Sequence, residues 1–187
     1  MSEKQNRRTQ MTRLLLRTAL MELMEEKPIS RITVRELCER ADLNRTTFYL
    51  HYTDPMALLK DVEQDILQKT IEHMQNIHTD RQTMKLVVAF LEYVKKQDLT
   101  LRVLLCRDDS ETFRREFVRE LQNVIGAELP AYGDELRTKY VLSFLMYGSL
   151  YCMIEWMQNG YKETPEQMAG LLLSLNGSID ENHTLTL

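Results

Sequence analysis

The sequence predicts an all-α protein of about nine helices, with a small three-helix module at the N-terminus and a larger helical domain after it. Three observations carry this reading. Glycine and proline are scarce, 6 and 4 among 187 residues, so few positions interrupt a helix. Apolar residues recur three and four apart almost everywhere, and no β-branched alternation persists. Capping signals recur where the periodic runs begin.

The first helix is expected over about Arg8 to Glu26. Leu15, Ala19 and Leu23 fall on one line of it and Leu16, Leu20 and Met24 on the next, giving one broad apolar stripe. Lys27-Pro28 ends the helix, because proline disfavours the helical conformation in the residue before it. Thr33-Val34-Arg35-Glu36 has the form of a capping box that starts a second helix. Val34, Leu37, Cys38 and Ala41 supply its buried face, and Asp42-Leu43-Asn44 breaks the run with polar turn formers. Asn44 is then the N-cap of a third helix, Arg45 to Tyr52.

Asp54-Pro55 starts a long helix reaching about Ile77, which links a domain at 1–53 to one at 54–187. Further helices are expected at about Arg81 to Lys96, Leu99 to Cys106 and Glu111 to Glu128, with polar breaks at His78-Thr79-Asp80 and at Arg107 to Ser110. Pro130 and Gly133 mark a loop. Asp134 to Gln158 is strongly apolar, Asn159-Gly160 stops it, and Thr164-Pro165-Glu166-Gln167 caps the last helix. The tail after Asn176 reads as disordered.

The net charge of -4 conceals an asymmetry. Residues 1–52 carry 10 Lys+Arg against 7 Asp+Glu, or +3, and the remainder carries 14 against 21, or -7. A weakly basic module on an acidic body fits contact with a polyanion through the N-terminal part. Cys38, Cys106 and Cys152 lie far apart, without disulfide or zinc-ligand spacing, and read as reduced, buried thiols. No metal site or cofactor is expected. No apolar run is long enough to span a membrane, and the polar, basic start lacks the apolar stretch of a signal peptide, so a soluble cytoplasmic protein is expected.

Two short helices joined by a tight turn, after a longer supporting helix, are the parts of a helix-turn-helix whose second short helix enters the DNA major groove. In the third helix Leu43, Phe48 and Tyr52 can turn inward, leaving Arg45, Thr46, Thr47, Tyr49 and His51 outward. Arginine can pair with two acceptors on guanine and threonine can reach a base edge or a thymine methyl, so base readout falls to Arg45 and Thr46, with Thr47 a further candidate. Tyr49 and His51 can donate to phosphate oxygens, and Thr33 and Arg35 would meet the backbone from the side. Arg7 and Arg8 could form a flexible basic arm. A solvated polar face would look the same from these residues alone.

The run Ile32 to Tyr52, with its Thr-Val helix start, the alanine before the turn and the ending Phe48-Tyr49-Leu50-His51-Tyr52, resembles the DNA-binding region of the tetracycline-repressor (TetR) family over about residues 10–60. Tyr147-Gly148 through Trp156, Gly160, Thr164-Pro165 and Ala169 resembles the branch of that family common in Gram-positive bacteria. The resemblance implies phosphate contacts from Thr33, Thr47, Tyr49 and His51 and base contacts from Arg45 and Thr46. Two positions depart from it: Pro55 stands where the family has a phosphate-gripping lysine, and Asp42 where it has a turn glycine. Lys60 is a candidate substitute for the lysine.

One recognition helix discriminates little, so a homodimer on double-stranded DNA with a near-palindromic operator is expected. The penultimate helix offers Val141, Phe144, Leu145, Gly148, Cys152 and Glu155, and the last offers Met168, Leu171, Leu172 and Leu175. The resemblance implies that these two helices build a four-helix dimer interface, although such faces also fit ordinary core. Phe90, Leu104, Phe113, Phe117, Tyr147 and Tyr151 lie where members of the family hold a small-molecule effector, in a set that extends to Met84, Tyr93, Leu121 and Trp156. Aromatic residues at helical spacing are equally good packing.

The implied function is a transcriptional regulator, a repressor released by a small molecule or, alternatively, an adaptor acting through a partner protein. Enzymatic function is not expected: the chain has no phosphate loop, HExxH or nucleophile elbow, and its histidines stand apart from any arrangement with Cys or Ser.

Overall fold

A computed structural model describes residues 3–77, 83–125 and 135–181. Among the described residues there are nine α-helices and no strand. They are α1 (Glu3–Glu26), α2 (Val34–Arg40), α3 (Arg45–Tyr49), α4 (Pro55–Ile77), α5 (Thr83–Lys96), α6 (Asp98–Leu105), α7 (Glu111–Ile125), α8 (Glu135–Gln158) and α9 (Pro165–Glu181). Short 3-10 turns cover Ile29–Arg31 and Asp108–Ser110. The breaks expected at 78–80, 130 and 133 lie outside the described residues.

The chain divides into a unit of residues 1–66 and a unit of 67–187, a boundary inside α4 rather than at 53/54. The first half of α4 belongs to the N-terminal unit, because Leu58, Leu59 and Val62 are buried there and Asp61 is bonded to α1.

In that unit α1 packs on α2, and α2 on α3. Leu16, Ala19, Leu20, Leu23 and Met24 are buried, whereas Leu15 is 40% exposed. Leu15 lies about 100° round the helix from Leu16, outside the inward arc, so the stripe is narrower than expected. Arg7 and Arg8 lie within α1 and do not form an extended arm.

Local chemistry sets both ends of α2. The Thr33 hydroxyl accepts from the Glu36 N–H at 3.3 Å while the Glu36 carboxylate accepts from the Thr33 N–H at 3.0 Å. At the other end Asp42 takes φ 53 and the Leu43 N–H donates to the Cys38 carbonyl at 2.9 Å, closing a Schellman motif. Aspartate reaches this left-handed conformation at a modest cost, which explains how the turn forms without glycine.

The second unit is built on α5 packed against α9 and α6, and on α6, α7 and α8 packed together. Leu91, Val94, Leu101, Leu105, Phe117 and Met157 are fully buried in it. A full Schellman motif ends α8: Gly160, at φ 73, donates to Met157 O at 3.1 Å, and Tyr161 donates to Trp156 O at 2.9 Å. The rings of Trp156 and Tyr161 meet edge to face 4.8 Å apart, the apolar contact that accompanies such a stop. Thr164 and Gln167 form a reciprocal capping box at the start of α9. The helix continues to Glu181, so the expected disorder after Asn176 is not found over 176–181. Asn-Gly-Ser is a weak stop, because a single interior glycine costs a helix only about 1 kcal/mol.

The three cysteines are free, but only Cys38 is buried; Cys106 and Cys152 are half-buried. Burial pushes the Cys106 thiol up to about 11. Among the described residues no helix is long and apolar enough to cross a membrane.

Two outcomes follow. Phe48 is fully buried, so Phe48→Ala should lower the unfolding free energy by about 3–5 kcal/mol in a denaturant titration. The Lys27 ammonium and the Thr33 backbone and hydroxyl hold the Glu36 carboxyl down to about 2, against an ordinary 4.5. A carboxylate depressed on folding stabilises the fold above its unfolded pKa, and that contribution fades as pH falls through the folded value. Glu36→Gln should therefore flatten the fall in melting temperature between pH values of about 4.5 and 2; an unchanged acid limb would refute it.

Candidate DNA-binding site

The expected groove-facing residues gather on α3 and at the N-terminus of α2. Asn44 caps α3, its side-chain oxygen accepting from the Thr47 N–H at 2.7 Å and from the Thr47 hydroxyl at 2.9 Å. Helix α3 ends at Tyr49, earlier than the expected Tyr52. Phe48 and Tyr52 turn inward and Leu43 is half-buried.

The opposite face is open. The side chains of Arg45 and Thr46 are exposed and, among the described residues, make no hydrogen bond or ion pair, while the Thr46 carbonyl accepts from the Leu50 N–H at 3.2 Å. Tyr49 is 59% exposed, its ring set edge-on against Phe48 at 5.5 Å. Thr47 and His51 are half-buried at the margin, and the Thr47 hydroxyl is engaged with the cap.

Thr33 and Arg35 are exposed at the start of α2. The Thr33 hydroxyl donates to Glu36 at 2.8 Å, and Arg35 pairs with Glu39 at 2.6 Å. An exposed i, i+4 pair of this kind is worth only about 0.3–0.5 kcal/mol, so Arg35 can exchange Glu39 for a phosphate at little cost.

Much of the positive charge of the module is spent internally. Arg13 and Arg17 pair with Asp61, Lys27 with Glu36, and Arg40 with Glu22 and Glu26. The +3 balance therefore says less about polyanion binding than the exposed, unpaired guanidinium of Arg45 at the head of α3.

The start of α4 carries no cation. Asp54 caps it, accepting from the Ala57 N–H at 2.8 Å and the Thr53 hydroxyl at 3.1 Å, and these bonds hold its carboxyl below the usual range. Lys60 is exposed further along the helix.

Two features of the site were not anticipated. Leu50 is 76% exposed, beside Tyr49; its position in the pattern Tyr-x-His was the only signal. Tyr52 is anchored by its hydroxyl as well as by its ring, through Asp61 and Arg13. No sequence pattern announces that pairing.

In the second unit the residues of the suggested dimer face divide by burial. Leu145, Met168 and Leu172 pack in the interior of the unit. Phe144 is 68% exposed, Leu171, Leu175, Gly148 and Glu155 are also exposed, and Val141 and Cys152 are half-buried. Leu136, Tyr140 and Tyr151 extend the exposed set. Among the suggested pocket residues Leu104, Phe113 and Phe117 are core, Phe90 and Tyr147 are half-buried, and Tyr151 is exposed beneath the Arg114 guanidinium, 6.0 Å from the ring centre.

Comparison with known proteins matches this architecture. Residues 16–62 match the family model described as bacterial regulatory proteins, tetR family. Residues 81–176, about half of the chain, match the TetR-type model described as transcriptional regulator C-terminal region. The Bacillus subtilis helix-turn-helix-type transcriptional regulator YxbF is 22% identical over 168 residues, 82% of this chain. The chain spans only 42% of that relative's length. A TetR transcriptional regulator from Streptococcus agalactiae superposes with a TM-score of 0.70 at 22% identity, covering 92% of this chain and 97% of the other. SmeT, solved as a complex with triclosan, superposes with a TM-score of 0.67 at 14% identity, covering 90% of each chain. With both its N-terminal and C-terminal regions matched, the chain belongs to the tetR family of bacterial transcriptional regulators.

Proposed function

We propose that this regulator is a cytoplasmic homodimer that binds a near-palindromic operator in double-stranded DNA and represses until a small molecule releases it. One observation carries the DNA reading. The short, capped helix α3 buries Phe48 and presents Arg45, Thr46 and Tyr49 together to solvent, with an arginine lacking any internal partner at its head. Arg45 and Thr46 read bases, while Thr47, Tyr49, His51, Thr33 and Arg35 meet the backbone.

Dimer formation rests on α8, which is apolar on two opposite faces. One face packs within the unit through Leu145, Met153, Trp156 and Met157. The other exposes Leu136, Tyr140, Phe144 and Tyr151, spaced on a single side, and α9 adds Leu171 and Leu175. Exposed apolar sets of this size mark interaction surfaces. Small-molecule control is supported by the triclosan complex of SmeT and by the aromatic residues Phe90, Tyr147 and Tyr151 that remain partly uncovered.

A second reading, an adaptor acting through a partner protein, is favoured by one feature: Asp54-Pro55 puts a carboxylate at the start of α4, where a phosphate-gripping cation would help DNA binding. Salt separates the two readings. Phosphate contacts release counterions, so operator affinity should fall steeply and linearly in a log–log salt titration by fluorescence anisotropy. Arg45→Ala should cost about 1–3 kcal/mol at one base position and relax its specificity, while Tyr49→Phe should weaken all duplexes alike. Equal effects from both would mean the assignment of roles is wrong; no salt-dependent binding at all would favour the adaptor.

For the dimer, Phe144→Glu should yield a folded monomer in sedimentation equilibrium. A dimer unaffected by this change would place the interface elsewhere.

A further inference from the structure

Helix α3 is five residues long and buries one side chain, Phe48. A helix so short has no stability of its own and takes its direction from whatever fixes its ends. Its N-terminal end is fixed by the Asn44 cap and by the Leu43 to Cys38 bond across the turn. Beyond its C-terminal end backbone bonds from Leu50, His51 and Tyr52 close the last turn, and the next buried side chain is Tyr52.

Tyr52 is held in a way a phenylalanine could not be. Its ring is buried, 6.0 Å from that of Phe48. Its hydroxyl donates to Asp61 Oδ2 of α4 at 2.6 Å and accepts from Arg13 Nε of α1 at 3.2 Å. Asp61 has further donors: Arg13 Nη2 donates to its other oxygen at 2.7 Å and Arg17 Nε to Oδ2 at 2.9 Å, while Arg17 also reaches Asp65 at 3.0 Å. Ring burial alone is non-directional and leaves the chain free to swivel about the contact. A short bond to an ionised carboxylate fixes a distance and an angle.

We infer that Tyr52 and Asp61, braced by Arg13 and Arg17, are positioning residues that set the angle at which α3 is presented to DNA. They lie behind the open face of α3, so they act on recognition only through Arg45 and Thr46. The inference rests on the DNA-binding reading above. Base readout tolerates only about 0.5 Å of misplacement in the reading side chains, whereas phosphate attraction is long-ranged and tolerant. Loss of the hydroxyl therefore weakens specific binding selectively.

The test uses the full-length protein, the tightest duplex recovered from a randomised pool, and a scrambled duplex of equal length. Tyr52→Phe keeps the ring and removes the bond. At a temperature where circular dichroism shows both proteins fully folded, it should lower affinity for the selected duplex about tenfold, or about 1.4 kcal/mol. Affinity for the scrambled duplex and the salt slope should match the native protein. Asp61→Asn should act in the same direction, and Tyr52→Phe decides alone if Asp61→Asn does not fold. A lower melting temperature with unchanged affinity for both duplexes would make the cluster structural only and overturn the inference, as would an equal loss on both duplexes. If the native chain binds no duplex in a salt-dependent manner, the DNA reading falls and this inference with it.

Discussion

The N-terminal unit depends on the carboxylate of Asp61. Its two oxygens accept from Arg13 and Arg17 of α1 and from Tyr52 just beyond α3, so one side chain ties three elements together. Burial opposes its ionisation, but the bond from Tyr52 and the bond and charge of Arg17 outweigh that penalty and hold the carboxyl below its ordinary range. Burial and the adjacent carboxylate push the Tyr52 hydroxyl up, so it remains a proton donor. Hydrogen bonds to charged groups are worth about 1.5–3 kcal/mol each, well above the fraction of a kcal/mol expected of exposed pairs such as Arg35 with Glu39. Breaking such a cluster is costly, because it would strand a partly buried charge.

This division of labour explains how a module with a modest positive balance can still address DNA. Arg13, Arg17 and Arg40 hold helices together, and of the exposed cations Arg35 and Arg45 stand at helix starts. In the proposed reading, sequence discrimination comes from where Arg45 and Thr46 stand rather than from the overall field. The acidic cap at Asp54 likewise settles the start of α4 internally, through its bond from the Ala57 N–H.

Features written in local chemistry were legible in the sequence. The Thr33-Glu36 and Thr164-Gln167 capping boxes, the Asn44 cap and the Gly160 stop each depend on residues within a few positions of one another. The helical fold and the open face of α3 follow from the same short-range patterns. Contacts between distant residues were not legible, as Arg13 and Asp61 lie 48 positions apart and share no periodicity. Burial on helices apolar all round was equally hidden. Spacing marks Leu145 and Phe144 alike as apolar, yet one is interior and the other exposed, because only the neighbouring helices decide which face is covered. Leu15 and Leu50 belong to the same class: nothing local says that no partner faces them.

In the proposed complex α3 reads a defined base sequence twice, once from each protomer. Selection of bound duplexes from a randomised pool tests it most directly. A dimer of this kind should enrich a near-palindromic motif whose half-sites are centred about one helical turn apart, roughly 34–36 Å, or a multiple of it. Recovery of no motif, or of a single unpaired half-site, would contradict it.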